Sequence, residues 1–223
     1  MTSEGTDFLY PFIEGNEDDP VGLLADLAAS AGAKGTESAR LRTATLERSD
    51  GRVAALAEAM APRFAAGGRL FVFGNGGSST DAAGIVALFR TPPWGRPLRA
   101  RSLVADRAVI TALGNDVGFE LVFSRQLIAY ARAGDMALGI STSGNSTNLL
   151  AAFTEARRRD LLTLGLAGYD GGQMAASPDV EHCLVVSSSS VHRVQETQAA
   201  LAFDLWSRIQ ALLPAPEAGS VRP

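Results

Sequence analysis

The chain has 223 residues, of which 46% are hydrophobic and 20% are charged, and its formal net charge at pH 7 is −4. This length suffices for one large domain or two small ones, and the composition is that of a globular protein. The acidic balance disfavours a nucleic-acid-binding protein, which normally presents a basic face, and no apolar run is long enough to span a membrane.

The single cysteine, Cys183, lies in the apolar run HCLVV and allows no internal disulfide. A lone thiol in such a run is most often a core residue and not a nucleophile. The first residues, MTSEGTDFLYPFIEGNEDDP, lack the basic start and the apolar stretch of a signal peptide. Together these features predict a cytoplasmic protein.

The two ends of the chain differ in composition from its middle. Residues 1–19 are acidic and contain the aromatic cluster FLYPF, so we expect a tail there. From 20 to 66 apolar residues recur at helical spacing, which predicts an N-terminal helical arm. The sequence SDG at 49–51 predicts an interruption that divides this arm into two helices. Residues 213–223 are expected to form a disordered tail.

Five short apolar runs within residues 67–212 are typical of buried strands: 70–73, 100–105, 135–141, 161–168 and 181–187. Helical patterns lie between these runs, most clearly at 118–132, 146–159 and 190–212. Strands that are apolar throughout and alternate with helices form a parallel sheet covered on both faces. The predicted fold is therefore a single α/β domain around a five-stranded parallel sheet.

Ligands of open parallel sheets bind beyond the carboxyl ends of the strands. The first predicted strand runs into GNGGSS at 74–79, here named the glycine loop. Its glycines allow a ligand close to the backbone, and the following helix offers free N–H groups to an anion, although many such turns need glycine for geometry alone. Ser79 replaces the last glycine of a dinucleotide fingerprint, and no P-loop lysine follows.

A stronger signal lies after the third predicted strand, where STSGNSTN at 141–148 enters a helix. Four hydroxyl groups crowd this entrance, and we name residues 141–146 the hydroxyl loop: Ser141, Thr142, Ser143 and Ser146. One serine or threonine would be expected as a helix cap, but a single cap does not account for four. Hydroxyl and N–H groups at a helix N-terminus can surround a phosphate without lysine or arginine, so the sequence predicts phosphate binding here.

A third polar turn is predicted at LGNDVGF, residues 113–119, with Asn115 and Asp116 at its centre. These two side chains either contact the ligand or close a local Asx-turn, and the residues leave both possibilities open. The sequence GYDGG at 168–172, after the fourth strand, is interpreted as a purely structural turn.

With these loops identified, the chain resembles the sugar isomerase (SIS) domain family, and within it the sedoheptulose-7-phosphate (phosphoheptose) isomerases. The resemblance rests on stretches in family order within residues 40–212: GNGGSSTDA, LGNDVGF, VFSRQL, GISTSGNSTNLL, GLAGYDGG and HRVQET. It implies a three-layer αβα sandwich, a homotetramer, and a sugar phosphate bound at a subunit interface. Ser141, Thr142, Ser143 and Ser146 would hold the phosphate, and the remaining predicted contacts are Asn75, Gly76, Ser78, Asp116 and Gln195.

The resemblance is incomplete where these isomerases keep zinc and their catalytic base. A histidine and a glutamate, one turn apart on the helix after the glycine loop, supply both in the family, and Gly84 and Leu88 or their neighbours occupy the matching positions here. On the last helix Gln195 matches the family's glutamine, but Phe203 replaces its histidine. We therefore expect no metal cofactor, and the group that moves a proton next to the sugar carbonyl is unassigned.

Other residues could in principle replace the missing base. His192, just before RVQET, could titrate near neutrality, although an exposed histidine at the start of a helix is more often without a catalytic role. Asp81 more often steadies a loop, and Asp106 is expected to begin the helix after the second strand. His192 is therefore the named candidate.

Two functions are compatible with this sequence. The first is an aldose–ketose isomerase of the phosphoheptose type with a diverged active site and a sugar phosphate as its ligand. The second is a non-catalytic SIS protein, a phosphosugar sensor or a scaffold comparable to the DnaA initiator-associating protein. The sugar-sensing half of a transcription regulator is disfavoured, because the chain is acidic and has no helix-turn-helix segment.

Overall fold

The computed structural model describes residues 19–214. Within the described residues the chain divides into two compact units, and the division lies between Arg40 and Leu41. The expectations for an acidic tail before residue 19 and for a disordered tail after residue 214 lie outside the described residues. None of the helices within 19–214 has the length and hydrophobicity needed to cross a membrane.

The first helix, α1 (Pro20–Ala65), runs through the SDG sequence at 49–51, so the predicted interruption is wrong. A glycine inside a helix costs only about 1 kcal/mol relative to alanine. Packing outweighs this cost, because Leu56 and Met60 on the following turns are buried. The carboxylate of Asp50 is also held in place, since its Oδ1 accepts a hydrogen bond from Arg208 Nη2 at 2.6 Å.

The strands that follow are β1 (Leu70–Gly74), β2 (Ala100–Ser102), β3 (Met136–Ser141), β4 (Leu162–Gly168) and β5 (His182–Val186). The helices are α2 (Gly77–Arg90), α3 (Arg107–Asp116), α4 (Val122–Tyr130), α5 (Thr147–Arg158), α6 (Gly172–Ala176) and α7 (Val191–Leu212). The strands form one parallel sheet in the order β2-β1-β3-β4-β5. The predicted α/β fold with a five-stranded parallel sheet is confirmed.

Helices cover both faces of this sheet. Because successive side chains of a strand point to opposite faces, Val72 joins the core beneath α2 and α7, whereas Phe73 joins the core beneath α4 and α5. The ring of Phe73 packs against those of Phe123 and Phe153, with centroid distances of 5.3 and 5.5 Å. The three-layer αβα arrangement that the resemblance implied is confirmed.

The strand order places a topological switch point between β1 and β3. These strands are neighbours, with Gly74 paired to Ile140, but α2 follows β1 on one face of the sheet and α5 follows β3 on the other. The loops at the carboxyl ends of β1 and β3 therefore diverge and leave a crevice. In open α/β sheets, ligands bind in such crevices.

The opposite ends of the same two strands are fixed by a buried carboxylate. Asp135 accepts hydrogen bonds from the main-chain N–H groups of Arg69 and Arg132, at 2.8 and 3.0 Å. Its Oδ2 also lies 2.7 Å from Nη2 of Arg69, whose guanidinium donates in addition to the carbonyl of Tyr130. This network holds the starts of β1 and β3 together. The crevice therefore lies at the opposite, carboxyl ends of these strands.

Candidate functional site

The glycine loop and the hydroxyl loop meet at the switch point through a pair of amide side chains. Nδ2 of Asn75 donates to Oδ1 of Asn148 at 2.9 Å, and Nδ2 of Asn148 donates back to Oδ1 of Asn75 at 3.0 Å. Asn148, on the first turn of α5, is only 2% exposed. Asn75 was predicted to line the sugar; in the structure its side chain also holds the glycine loop against the first turn of α5, which directly follows the hydroxyl loop.

Three of the four predicted phosphate-binding hydroxyls lie close together. Oγ of the buried Ser141 is 3.2 Å from Oγ of Ser146 and 3.5 Å from Oγ of Ser143. The main-chain N–H of Gly144 donates to Ser141 Oγ at 3.1 Å. Within the described residues no hydrogen bond occupies the hydroxyl of Thr142. The loop thus concentrates hydroxyl oxygens at one point.

Ser146 occupies the N-cap position of α5, but its side chain makes no capping hydrogen bond. The N–H groups in the first turn of an α-helix have no acceptor within the helix. The carbonyl of Ser146 accepts from Leu149 N at 3.1 Å, and within the described residues the N–H groups of Thr147 and Asn148 have no acceptor. Ser146 instead directs its oxygen towards Ser141. The unsatisfied N–H groups and the helix dipole therefore face the same place as the hydroxyls, which is an arrangement suited to an anion.

The GYDGG turn packs against the hydroxyl loop. Gly144 has φ +66°, and a Cβ atom added there would lie 2.0 Å from the carbonyl oxygen of Gly171. The carbonyl of Gly144 accepts from Met174 N at 2.9 Å, and Oδ1 of Asn145 accepts from Gln173 N at the same distance. Only glycine fits at residue 144, because both its backbone conformation and its close contact exclude a side chain.

The glycine loop carries the remaining predicted contacts. Gly76, at φ +54°, precedes α2, and Ser78 is buried in its first turn. A Cβ atom at Gly77 would lie 2.5 Å from Nε2 of Gln195, so the absence of a side chain lets this glutamine reach the loop. Gln195 extends from α7 and donates from Nε2 to Oδ2 of Asp81 at 3.1 Å. The structure therefore joins Gln195 to the glycine loop.

Asp81 is a carboxylate at this site, and its position in the sequence was interpreted as that of a loop-supporting residue. It stands four residues after Gly77, on the same face of α2. Burial raises the pKa of Asp81 above its ordinary value, and the hydrogen bond from Gln195 partly offsets that rise. A raised pKa in a site that borders a pocket is typical of groups that transfer protons.

A pocket of about 250 Å³ adjoins Asp81 between α2 and α7. Gly84, Leu88 and Phe203 all line it, so the three positions that match the missing metal and base residues converge in space. None of these side chains can ligate a metal ion. In the described part of the chain, no three histidine, cysteine, aspartate or glutamate residues are grouped so as to hold one. Gly84, Leu88 and Phe203 therefore supply no ligand for zinc at these three positions.

Other predicted residues stand apart from these loops. His192 is exposed in the first turn of α7, and it makes no hydrogen bond to either loop within residues 19–214. Asn115 and Asp116 belong to the last turn of α3, not to a free turn, because Asp106 caps that helix and it continues through them. Asn115 Nδ2 donates to Asp116 Oδ1 at 2.8 Å, so this hydrogen bond joins two adjacent residues and does not reach either loop.

Cys183 lies on β5 and is partly exposed. Burial raises the pKa of its thiol to about 11. Because the thiolate is the nucleophilic form, the thiol is unreactive near neutral pH. Cys183 packs against the core from its margin, so the sequence interpretation as an unreactive thiol holds but its placement within the core does not.

The amide pair is expected to act as one energetic unit. Replacing Asn75 with Ala leaves the buried amide of Asn148 unpaired, which should lower the free energy of unfolding by about 1–3 kcal/mol. Replacing Asn148 with Ala leaves the half-buried amide of Asn75 unpaired and should cost less, because water can reach Asn75. The double variant should lose less than the sum of the single losses. Urea denaturation of all three variants measures this coupling, with Asn115→Ala as a control that should change stability by less than about 0.5 kcal/mol. Strictly additive losses would contradict the pairing.

The chain is similar in sequence and in structure to known proteins. Residues 35–168 match the SIS domain. The chain is 45% identical to the phosphoheptose isomerase of Trichlorobacter lovleyi over 71% of its own length and 81% of the relative's. It is likewise 45% identical to that of Geobacter sulfurreducens, over 66% of this chain and 77% of the relative. The solved phosphoheptose isomerase of Neisseria gonorrhoeae superposes with a TM-score of 0.77 at 34% identity, covering 83% of this chain and all of that one.

Proposed function

Because the chain belongs to the SIS domain family, we propose that it binds a sugar phosphate in the crevice between β1 and β3. The observation that carries this proposal is the convergence of the Ser141, Ser143 and Ser146 hydroxyls at the N-terminus of α5. A phosphate bound there would accept hydrogen bonds from these hydroxyls and from main-chain N–H groups of α5, without a lysine or arginine. Thr142 would contribute the fourth hydroxyl of the loop.

The sugar would extend from the hydroxyl loop across the glycine loop. Asn75, Gly76 and Ser78 would line it on one side and Gln195 on the other. The contact between Gln195 and Gly77 supports this arrangement, because it brings α7 against the glycine loop. Asp116 stays a prediction without a described contact to these groups.

Ser146→Ala is expected to weaken the binding of sedoheptulose 7-phosphate by about ten-fold or more, which corresponds to the loss of one hydrogen bond to a charged group. Stability should change little, since this hydroxyl does not cap α5. Calorimetric titration measures the affinity and thermal unfolding measures the stability.

Asp106→Ala is the matched control for that substitution. Oδ1 of Asp106 accepts from Val109 N at 3.1 Å and so forms a true helix cap, remote from the hydroxyl loop in sequence. Its loss should cost about 1 kcal/mol of stability and leave the affinity unchanged. Unaltered affinity in the Ser146 variant would refute the assignment of the hydroxyl loop to phosphate.

Aldose–ketose isomerisation is the reaction that we propose for this site, and the position of Asp81 favours it over a purely non-catalytic role. The relatives at 45% identity carry the name phosphoheptose isomerase. In such a reaction a base removes a proton from the carbon next to the carbonyl, and the resulting enediol takes a proton back at the neighbouring carbon. Asp81 is a carboxylate that borders both Gln195 and the pocket, and its raised pKa suits a group that accepts and returns a proton.

Asp81→Asn tests this assignment, because asparagine can still accept the hydrogen bond of Gln195 but cannot accept a proton. Turnover of sedoheptulose 7-phosphate, followed by NMR, should fall by about 100-fold or more. Binding measured by calorimetry should persist. Full turnover in this variant would eliminate Asp81 as the base, and binding without turnover in the unaltered protein would favour the non-catalytic alternative.

The same variant should also change the pH dependence of stability. The pKa of Asp81 in the folded state lies above its ordinary value of 3.8, so the folded protein retains this proton to a higher pH than the unfolded chain does. The unaltered protein therefore loses stability as pH rises from 3.8 through the raised pKa. Asp81→Asn lacks this loss, and its stability relative to the unaltered protein should rise across that window in thermal unfolding.

We also propose that the protein acts as a homotetramer in the cytoplasm. Exposed apolar side chains support association of copies: Leu24 and Leu27 in the first unit, and Trp94, Phe119 and Phe203 in the second. The single cysteine suits a reducing compartment. Light scattering should give the mass of four 23.3 kDa chains, and a monomer mass at working concentration would contradict the tetramer.

A further inference from the structure

A pocket of about 400 Å³ lies at the amino ends of β1 and β2, at the end of the sheet opposite the crevice. Its lining includes four arginines and no carboxylate of the described residues, and we name it the arginine pocket: Arg69, Arg90, Pro97, Leu98, Arg99, Ala100 and Arg101. All but one of these residues come from 90–101, a segment without aspartate or glutamate. A chain whose formal net charge is −4 therefore forms a strongly basic concavity here.

Main-chain contacts bring the arginines together. In the parallel register of β1 and β2, Arg69 and Arg99 each directly precede the first paired residue, so they stand side by side. The N–H of Leu98 donates to the carbonyl of Phe89 at 2.7 Å. This bond holds Arg99 near Arg90, the last residue of α2. Like charges on neighbouring strands are destabilising, so the fold accepts an electrostatic cost at this place.

Two of the four guanidinium groups are oriented by neighbouring side chains. That of Arg69 lies 2.7 Å from a carboxylate oxygen of the buried Asp135, which balances its charge. That of Arg101 lies over the ring of Tyr130, 3.6 Å from the ring centroid. A guanidinium stacked on an aromatic face keeps its charge and leaves the N–H groups in its plane free to donate hydrogen bonds. Arg101 is therefore held in place but not neutralised.

The other two arginines have no such neighbours. Within residues 19–214 the guanidinium groups of Arg90 and Arg99 make no hydrogen bond or ion pair. Together with Arg101 they leave three positive charges of the arginine pocket unbalanced. All three residues are exposed, so a ligand can reach them from the solvent. Arginine binds phosphate through two parallel N–H···O bonds, so this arrangement is suited to a phosphate-bearing anion with about three negative charges.

We propose that the arginine pocket binds a small anion that carries two linked phosphate groups. One phosphate group carries at most about two negative charges, so it would leave part of the positive charge unbalanced. A diphosphate carries about three near neutral pH, and its oxygens can accept hydrogen bonds from all three unneutralised guanidinium groups. A volume of about 400 Å³ is also in the range of small-molecule sites, which is about 300–1,000 Å³.

This site is separate from the crevice proposed for the sugar phosphate. Arg69 directly precedes β1 and the glycine loop begins at the other end of that strand, so the length of the strand, roughly 16 Å, separates them. The two sites also differ in chemistry, because the hydroxyl loop contains no cation. One chain can therefore hold a sugar phosphate and a diphosphate at the same time.

Calorimetric titration of the full chain with inorganic pyrophosphate tests the proposal. Arg99→Gln removes an unpaired guanidinium group and should weaken pyrophosphate binding by about ten-fold or more. The double variant Arg90→Gln/Arg99→Gln should abolish measurable binding. Arg158→Gln is the matched control, because it makes the same change of charge on an exposed side chain outside the pocket, and its affinity should not change. Absent binding in the unaltered protein, or equal losses in Arg99→Gln and Arg158→Gln, would overturn the proposal.

These variants should remain folded. Arg90 and Arg99 are exposed and carry like charges close together, so replacing either one relieves repulsion. The melting temperatures of the variants should therefore equal or exceed that of the unaltered protein. Affinity lost without a fall in melting temperature then reports on the pocket itself.

The same titrations distinguish the arginine pocket from the hydroxyl loop. Ser146→Ala should leave the pyrophosphate affinity unchanged, and Arg99→Gln should leave the affinity for sedoheptulose 7-phosphate unchanged. Pyrophosphate binding that Ser146→Ala weakens and Arg99→Gln does not would place the anion at the hydroxyl loop and refute the proposal. Failure of the proposed function would appear differently, as an absence of sedoheptulose 7-phosphate binding while pyrophosphate still binds.

A final comparison concerns the chemistry of the ligand, measured in the Ser146→Ala variant so that the hydroxyl loop contributes less. Inorganic phosphate should bind about ten-fold more weakly than pyrophosphate or worse, and equal affinities would refute the preference for two linked phosphates. Adenosine diphosphate that binds at least as tightly as pyrophosphate would assign the pocket to the diphosphate of a nucleotide. Weaker binding of adenosine diphosphate would assign it to free pyrophosphate.

Discussion

The reciprocal amide pair between Asn75 and Asn148 is the interaction on which the site depends. It bridges the crevice at the switch point between the neighbouring strands β1 and β3. An amide hydrogen bond adds little net stability, but a buried amide left without a partner costs much more. The two loops are consequently fixed relative to each other before any ligand arrives. Binding then need not order them, which lowers its entropic cost.

The groups around the proposed phosphate site are neutral. The lack of a cation there affects the pKa of Asp81. The hydroxyl loop contributes no cation that would lower the pKa of Asp81, so burial dominates and the pKa rises. A bound phosphate would add a like charge and push that pKa in the same direction. An arginine in the loop would bind phosphate more strongly but would hold Asp81 ionised. The proposed site would thus combine anion recognition with a carboxyl group that can exchange a proton.

Local patterns were sufficient for much of the fold and for the hydroxyl loop. Five apolar runs alternating with helical patterns gave the parallel sheet, because burial on both faces requires strands that are apolar throughout. The SDG interruption was predicted wrongly, since local propensity takes no account of Leu56 and Met60, whose packing holds the helix together. Asn115 and Asp116 were likewise placed in a turn, although the cap at Asp106 begins a helix that includes them.

The sequence by itself determined which chemical groups this protein has: four hydroxyls at a helix entrance, and glycine, leucine and phenylalanine at the positions where the family resemblance implied metal and base residues. Only the tertiary structure determined which residues these groups contact. It brought Gly84 and Phe203, more than a hundred residues apart, to one pocket. Among the residues that the structure describes, it left the buried Gln198 amide without a hydrogen-bond partner there. Such contacts depend on how α2 and α7 pack against each other on one face of the sheet. Periodicity along one segment carries no information about contacts between segments.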